Sequence, residues 1–160
     1  PIRDGVRATR LALPDGSWPF LLDYLSLRFH PLPRTEIATR MQRGEIVDAV
    51  GKPLAPDTPF ARHTSVFYYR TVESESRIPF AETILYQDDE LVVADKPHFL
   101  PVTPTGQYLQ ETLLVRLIRR LDCPNLTPIH RLDRDTAGVM LFSVNPSTRR
   151  LYQEIGRAHV

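Results

Sequence analysis

The sequence predicts an α+β fold in two parts, and three observations carry that prediction. Two apolar segments with helical spacing, each closed by turn residues, occupy the first half. A polar, acidic stretch follows at residues 73–79. Beyond it the pattern turns β-rich, interrupted by one amphipathic helix. The 160 residues, 42% apolar and 24% charged, have ordinary globular composition. That length suits one average domain, or a small module attached to part of a larger one. The longest apolar runs are four or five residues, as at Leu91 to Ala94, against the roughly 20 that a spanning helix needs, so no membrane partner is expected. No apolar run follows the first charged residue as it would in a signal peptide. Cys123, the single cysteine, has no intrachain partner for a disulfide or a metal cluster, which points to a reducing, cytoplasmic setting and to no metal. The chain opens on Pro1 instead of Met, and its start is expected upstream.

The elements follow in order. Pro14, Asp15 and Gly16 signal a turn, after which Ser17 caps a helix over residues 18–29 with Leu21, Leu22, Leu25 and Phe29 inward. His30-Pro31-Leu32-Pro33 stops it. A second helix runs from Thr35 to about Gly44, with Ile37, Ala38 and Met41 buried and Arg40 and Arg43 outward. Short strands at 45–49 and 65–72, with a turn at Gly51-Lys52-Pro53, complete a helix–helix–hairpin module. Residues 1–16 are read as an N-terminal extension, 17–72 as the module and 73–79 as a linker. In the second part, strands at 83–87 and 90–95 flank an Asp88-Asp89 turn. Prolines 97, 101 and 104 break regular structure before a helix over 111–121, whose leucines and Ile118 recur at helical spacing. A strand at 139–143 leads to Asn145-Pro146, a good cap and first residue for a last helix.

Charge is distributed unevenly. Residues 1–72 hold ten Lys/Arg against seven Asp/Glu, and residues 130–160 hold five against three. The segment between them holds five against nine. Such modest basic surpluses permit nucleic-acid binding without demanding it.

No phosphate-cradling glycine loop, metal-spaced Cys/His pair or Gly-x-Ser-x-Gly elbow is present. The densest polar cluster is His130-Arg131-Leu132-Asp133-Arg134-Asp135-Thr136, directly before the 139–143 strand. A carboxylate flanked by guanidinium groups stays ionised at neutral pH and can serve as nucleophile or base. The competing interpretation is a solvated turn laced with local salt bridges.

The string from His130 to Phe142 resembles the active-site motif of the RluA family of pseudouridine synthases, His-Arg-Leu-Asp-Arg-x-Thr-Ser/Ala-Gly followed by an apolar strand. Upstream, residues 84–97 resemble the family's opening hairpin, which ends in a Lys-Pro pair, here Lys96-Pro97, before a Leu-Pro-Val segment. The resemblance covers residues 80–154 and implies the first part of a mixed, mainly antiparallel sheet. It implies an enzyme that isomerises uridine to pseudouridine in structured rRNA or tRNA with no cofactor. Asp133 takes the place of the catalytic aspartate, and Arg131 that of the arginine that displaces the target nucleotide. His130, Arg134 and Thr136 match the motif as supports of the turn, while Asp135 stands at a variable position and is expected to form a surface salt bridge.

The first module resembles the alpha-L RNA-binding fold, which implies a phosphate-contacting face of Arg34, Arg40, Arg43 and Lys52. The alternative is that Glu36 and Arg40, four residues apart, pair on a solvated helix. The family's domain continues past its aspartate motif to an active-site Tyr and a Gly-Arg-x-His-Gln-Ile-Arg stretch absent here. The chain is therefore expected to be an N-terminal fragment, with Val92, Leu141 and Phe142 left exposed where sheet neighbours are missing. Residues 155–160 match the translation of a common sequencing adaptor and are read as a non-native tail. A non-catalytic RNA-binding fragment is the alternative function.

Overall fold

The computed structural model describes residues 1–72 and 74–155. The chain divides into two compact units, the first built mainly from residues 7–71 and the second from residue 72 onward.

Strands β1 (Ile2–Arg3), β2 (Val6–Arg7) and β3 (Thr9–Ala12) come first. The first unit then carries helices α1 (Leu21–Arg28) and α2 (Arg34–Gln42), followed by β4 (Ile46–Val47) and β5 (Ser65–Tyr68). The strand order is β3-β5-β4, antiparallel throughout, with Thr9 opposite Tyr68 and Val47 opposite Phe67. The expected extension at residues 1–16 thus supplies an edge strand, β3. A strand of four residues with one half-buried side chain leaves little sequence signal.

Both helices begin later or differently than their sequence suggests. The cap of α1 is Phe20, not Ser17, and the Asp23 carboxylate accepts the Phe20 N–H at 3.0 Å from within the first turn. Pro33, not Thr35, precedes α2, where its fixed φ suits helix entry. Gly44, at φ 68°, reverses the chain after α2 as a left-handed glycine does. Leu21, Leu22, Leu25, Ile37, Met41, Ile46 and Val66 form the buried core. Trp18, Tyr24 and Phe60 meet at tilted or edge angles beside it.

The second unit holds β6 (Thr83–Gln87), β7 (Leu91–Lys96), α3 (Leu113–Leu121), β8 (Thr127–Pro128), β9 (Gly138–Ser143) and α4 (Arg149–Ile155). Its antiparallel sheet runs β6-β7-β9-β8, with Lys96 opposite Gly138 and Leu91 opposite Ser143. The β6–β7 turn forms because Asp88 accepts the Glu90 and Leu91 N–H groups and the Tyr86 hydroxyl. That hydroxyl, with the two amides, holds the Asp88 carboxyl below its usual range. Thr112 caps α3 by accepting the Val115 N–H at 3.3 Å.

One face of α3 buries Leu113, Leu114, Leu117 and Ile118 against Val92, Ala94, Met140 and Phe142. Here the structure departs from expectation. Val92 and Phe142 are fully buried because α3 covers the sheet face that was expected to lie open, while Leu141, on the other face of β9, is half-buried. Exposed apolar side chains are found instead on the opposite faces, at Leu85 and Val139. Residues 156–160, and with them most of the expected tail, lie outside the described residues.

Residues of the expected linker, 73–79, are held by polar bonds to α3 and to the segment just before it. The Glu75 carboxylate accepts three successive N–H groups, of Leu109, Gln110 and Glu111, at 2.6 to 2.9 Å. Arg116 donates to the Ile78 and Phe80 carbonyls, and Glu111 accepts the Ile78 N–H. Ile78 is buried in the same core as α3.

Candidate active site

The polar motif of residues 130–136 is the segment that enters β9. Its residues alternate between being anchored and being free, and that alternation follows from the sequence. Ile129 donates its N–H to the Leu141 carbonyl at 2.9 Å, extending the sheet edge. The Leu141 N–H then donates to His130 Nε2 at 3.0 Å, so the imidazole carries its proton elsewhere and serves as a rung of the ladder. Leu132 packs against the core of the second unit. Gly138 passes so close to it that an added Cβ would lie 3.4 Å from Leu132 Cδ1. The Thr136 N–H donates to the Asp133 carbonyl at 3.1 Å and closes the turn.

A second set of bonds reaches the motif from the end of β7. Lys96 has no solvent exposure, and its ammonium donates to three carbonyls, those of Pro97 at 3.0 Å, Leu100 at 2.8 Å and Arg134 at 3.0 Å. All three lysine protons are thereby matched. Burial pulls the Lys96 pKa below the ordinary lysine value, against the opposing pull of the Asp135 and Asp133 carboxylates. The bend that presents two of these carbonyls places Phe99 at φ 66°, a left-handed conformation that costs a non-glycine residue on the order of 1 kcal/mol. The triple ammonium contact offsets that strain. His98 adds a further tie, its Nδ1–H donating to the Asp135 carbonyl at 2.8 Å.

The motif backbone is therefore held from two sides while its acidic and basic side chains face solvent. Asp133 and Arg131 are both exposed on this loop. Arg134 is exposed and pairs with Asp135 at 2.9 Å, which raises the guanidinium pKa further. Thr136 is exposed. An exposed carboxylate on a backbone that cannot shift is a suitable nucleophile, since a small displacement of an attacking atom is costly. Lys96 is matched in the sequence as half of a Lys-Pro pair but is assigned no role there. A lone lysine at the end of an apolar strand, followed by proline, was the available signal.

Of the basic residues expected on the first unit's face, three are exposed and Arg40 is turned inward. Arg34, at the start of α2, is exposed and pairs with Asp23 at 2.6 Å, which holds that carboxyl below its usual range. Arg43 and Lys52 are exposed, one just past α2 and the other in the turn after β4. Arg40, expected outward, is instead half-buried. Its guanidinium donates to Glu45 at 2.8 Å, the Tyr69 carbonyl at 2.9 Å and Thr71 Oγ1 at 2.8 Å. Glu45, five residues away, is its ion-pair partner in place of Glu36. The residue turns inward because the chain reverses at Gly44 and brings a carboxylate and a free carbonyl beneath α2.

Comparison with known proteins agrees with the motif. Residues 90–159 match the family model described as RNA pseudouridylate synthase. An uncharacterised RNA pseudouridine synthase of Synechocystis is 30% identical over 140 residues, covering 88% of this chain and 48% of that protein. The tRNA pseudouridine synthase C of Haemophilus ducreyi is 40% identical over 77 residues, covering 48% of this chain and 32% of that protein. Among solved structures, human RNA pseudouridylate synthase domain containing 4 matches with a TM-score of 0.37 and 35% identity, over 47% of this chain and 29% of that one. The chain spans less than half the length of these relatives.

Proposed function

We propose that the chain, whose residues 90–159 match the RNA pseudouridylate synthase family model, belongs to that family and that its second unit carries the catalytic aspartate of uridine isomerisation in structured RNA. The observation that supports this most is the Asp133 carboxylate, exposed on a loop whose backbone is fixed by Lys96, His130 and the Asp133–Thr136 turn. In the proposed reaction, Asp133 attacks the ribose or assists departure of uracil as the bond between base nitrogen and sugar carbon breaks. The freed base turns and rejoins the same sugar carbon through its own carbon. The proton displaced from that carbon is balanced by one gained at the nitrogen left behind. No electrons change hands, and the carboxylate is regenerated.

Arg131, exposed two residues before Asp133, fills the space of the extruded nucleotide and contacts phosphate. The substrate is a structured tRNA or rRNA, the tRNA choice being favoured by the name of the Haemophilus relative.

The test is to replace Asp133 by Asn in the protein and follow pseudouridine formation in a uridine-labelled RNA pool. The reading expects turnover to vanish while RNA affinity persists. Wild-type turnover by the variant would refute the role of Asp133.

A further inference from the structure

We propose that the first unit contains a pocket for a single unpaired nucleobase of the RNA. This inference rests on the RNA reading above and extends it to a site outside the isomerisation centre. The cavity has a volume of about 180 Å³ and opens between the end of α1, α2, β4 and the residues after β5. That is below the roughly 300 Å³ at which drug-sized ligand pockets begin, which suits one flat ring system rather than an extended molecule.

Its walls fit such a ring. Phe29 and Tyr68 line it and meet edge to face at 5.2 Å between centroids, an arrangement that leaves aromatic surface turned toward the cavity. Ile37 and Ile46, both buried, form an apolar floor. Arg40 and Arg70 line the same cavity, and no carboxylate does. Arg40 is fixed in place by its bonds to Glu45, the Tyr69 carbonyl and Thr71, so it forms a rigid polar wall of the cavity that needs no further ordering. Arg28 adds a cation 5.8 Å from the Phe29 ring centroid. An apolar, aromatic slot with guanidinium groups beside it complements a base together with the phosphate that accompanies it. Single-stranded RNA supplies such a base from a loop or bulge, and a continuous duplex does not. The basic surplus of residues 1–72, ten Lys/Arg against seven Asp/Glu, favours a polyanion over an apolar peptide.

The probes are a single-stranded RNA heptamer, the same heptamer with one central abasic site, and a duplex of equal length. Binding to the 160-residue chain is read by fluorescence anisotropy. Loss of the base should weaken binding to the native chain about tenfold, the scale of one base stacked on an aromatic ring. Leu32→Asp and Leu32→Trp alter an exposed lining residue, by charge and by filling, so both keep the fold testable. In either variant the base-bearing and abasic heptamers should bind within about twofold of each other. The methyl resonances of Ile37 and Ile46 should shift with the base-bearing heptamer alone. Equal abasic losses in native and variant chains would overturn the pocket while leaving RNA binding intact. Failure of all three RNAs to bind would instead sink the RNA reading of this unit, as would displacement of the heptamer by an apolar peptide.

Discussion

The motif loop of the second unit and the α2 face of the first both gather charged residues, yet they use them in opposite ways. At residues 130–136 the fold restrains the backbone and leaves Asp133 and Arg131 exposed. On α2 the side chains themselves are consumed, Arg34 by Asp23 and Arg40 by Glu45, Tyr69 and Thr71. The difference teaches where chemistry is to be sought. A charged side chain that stabilises its own unit has spent its bonding capacity. One that is left unengaged on an over-determined backbone is held ready for a ligand.

The comparison breaks most visibly at Lys96. Replacing it by Met keeps the apolar stem and removes the ammonium, so three carbonyls at the end of β7 and in the motif lose their donor. An unsatisfied buried polar group costs about 1–3 kcal/mol, and the expected loss of stability is about 3 kcal/mol with partial rehydration. Urea unfolding of the second unit checks it. An unchanged midpoint would mean that the ammonium contributes nothing to holding the loop.

A smaller effect is expected on α2. Arg40→Ala should destabilise the first unit by about 1–2 kcal/mol through loss of charge-assisted bonds. Arg43→Ala, on an exposed residue, should stay within about 0.5 kcal/mol. Equal losses for the two would erase the distinction between an engaged and a free arginine.

How much of this was legible beforehand depended on range. The β6–β7 turn, the apolar stripe of α3 and the identity of the motif are local patterns, and residues 83–87 form the expected strand with the expected bounds. The inward turn of Arg40 was not legible, because Glu45 and the Tyr69 carbonyl reach it only through a chain reversal and a strand 29 residues away in sequence. Helical spacing alone placed it in solvent. The role of Lys96 was hidden for the same reason, since one of its carbonyl partners lies 38 residues further on. The burial of Val92 and Phe142 was missed because the expectation counted sheet neighbours and overlooked the cover that α3 provides.

The smallest expected effect is on the residues that follow the first unit. Burial works to raise the Glu111 pKa, but the Ile78 N–H and Arg116 outweigh it and leave the carboxyl below its ordinary value. A depressed folded pKa contributes stability that is full above the unfolded value, about 4.3, and is lost as pH falls through the folded one. The protection factor of the Ile78 amide should therefore fall on acidification below about pH 4.3, and Glu111→Gln should flatten that dependence. A protection factor at Ile78 that ignores pH in that window would show that Glu111 does not hold it.

The most direct measurement of the central claim is amide exchange at Thr136 and Leu141 in the Asp133→Asn chain, set beside its unfolding midpoint. Those two N–H groups report the turn closure and the His130 rung that fix the loop. If the Asp133 carboxylate is held free for a ligand, the substitution leaves both protection and midpoint within about 0.5 kcal/mol of the native chain. A loss of protection at Thr136 or a clear fall in the midpoint would show that the carboxylate is part of the scaffold, and would contradict its assignment as the reacting group.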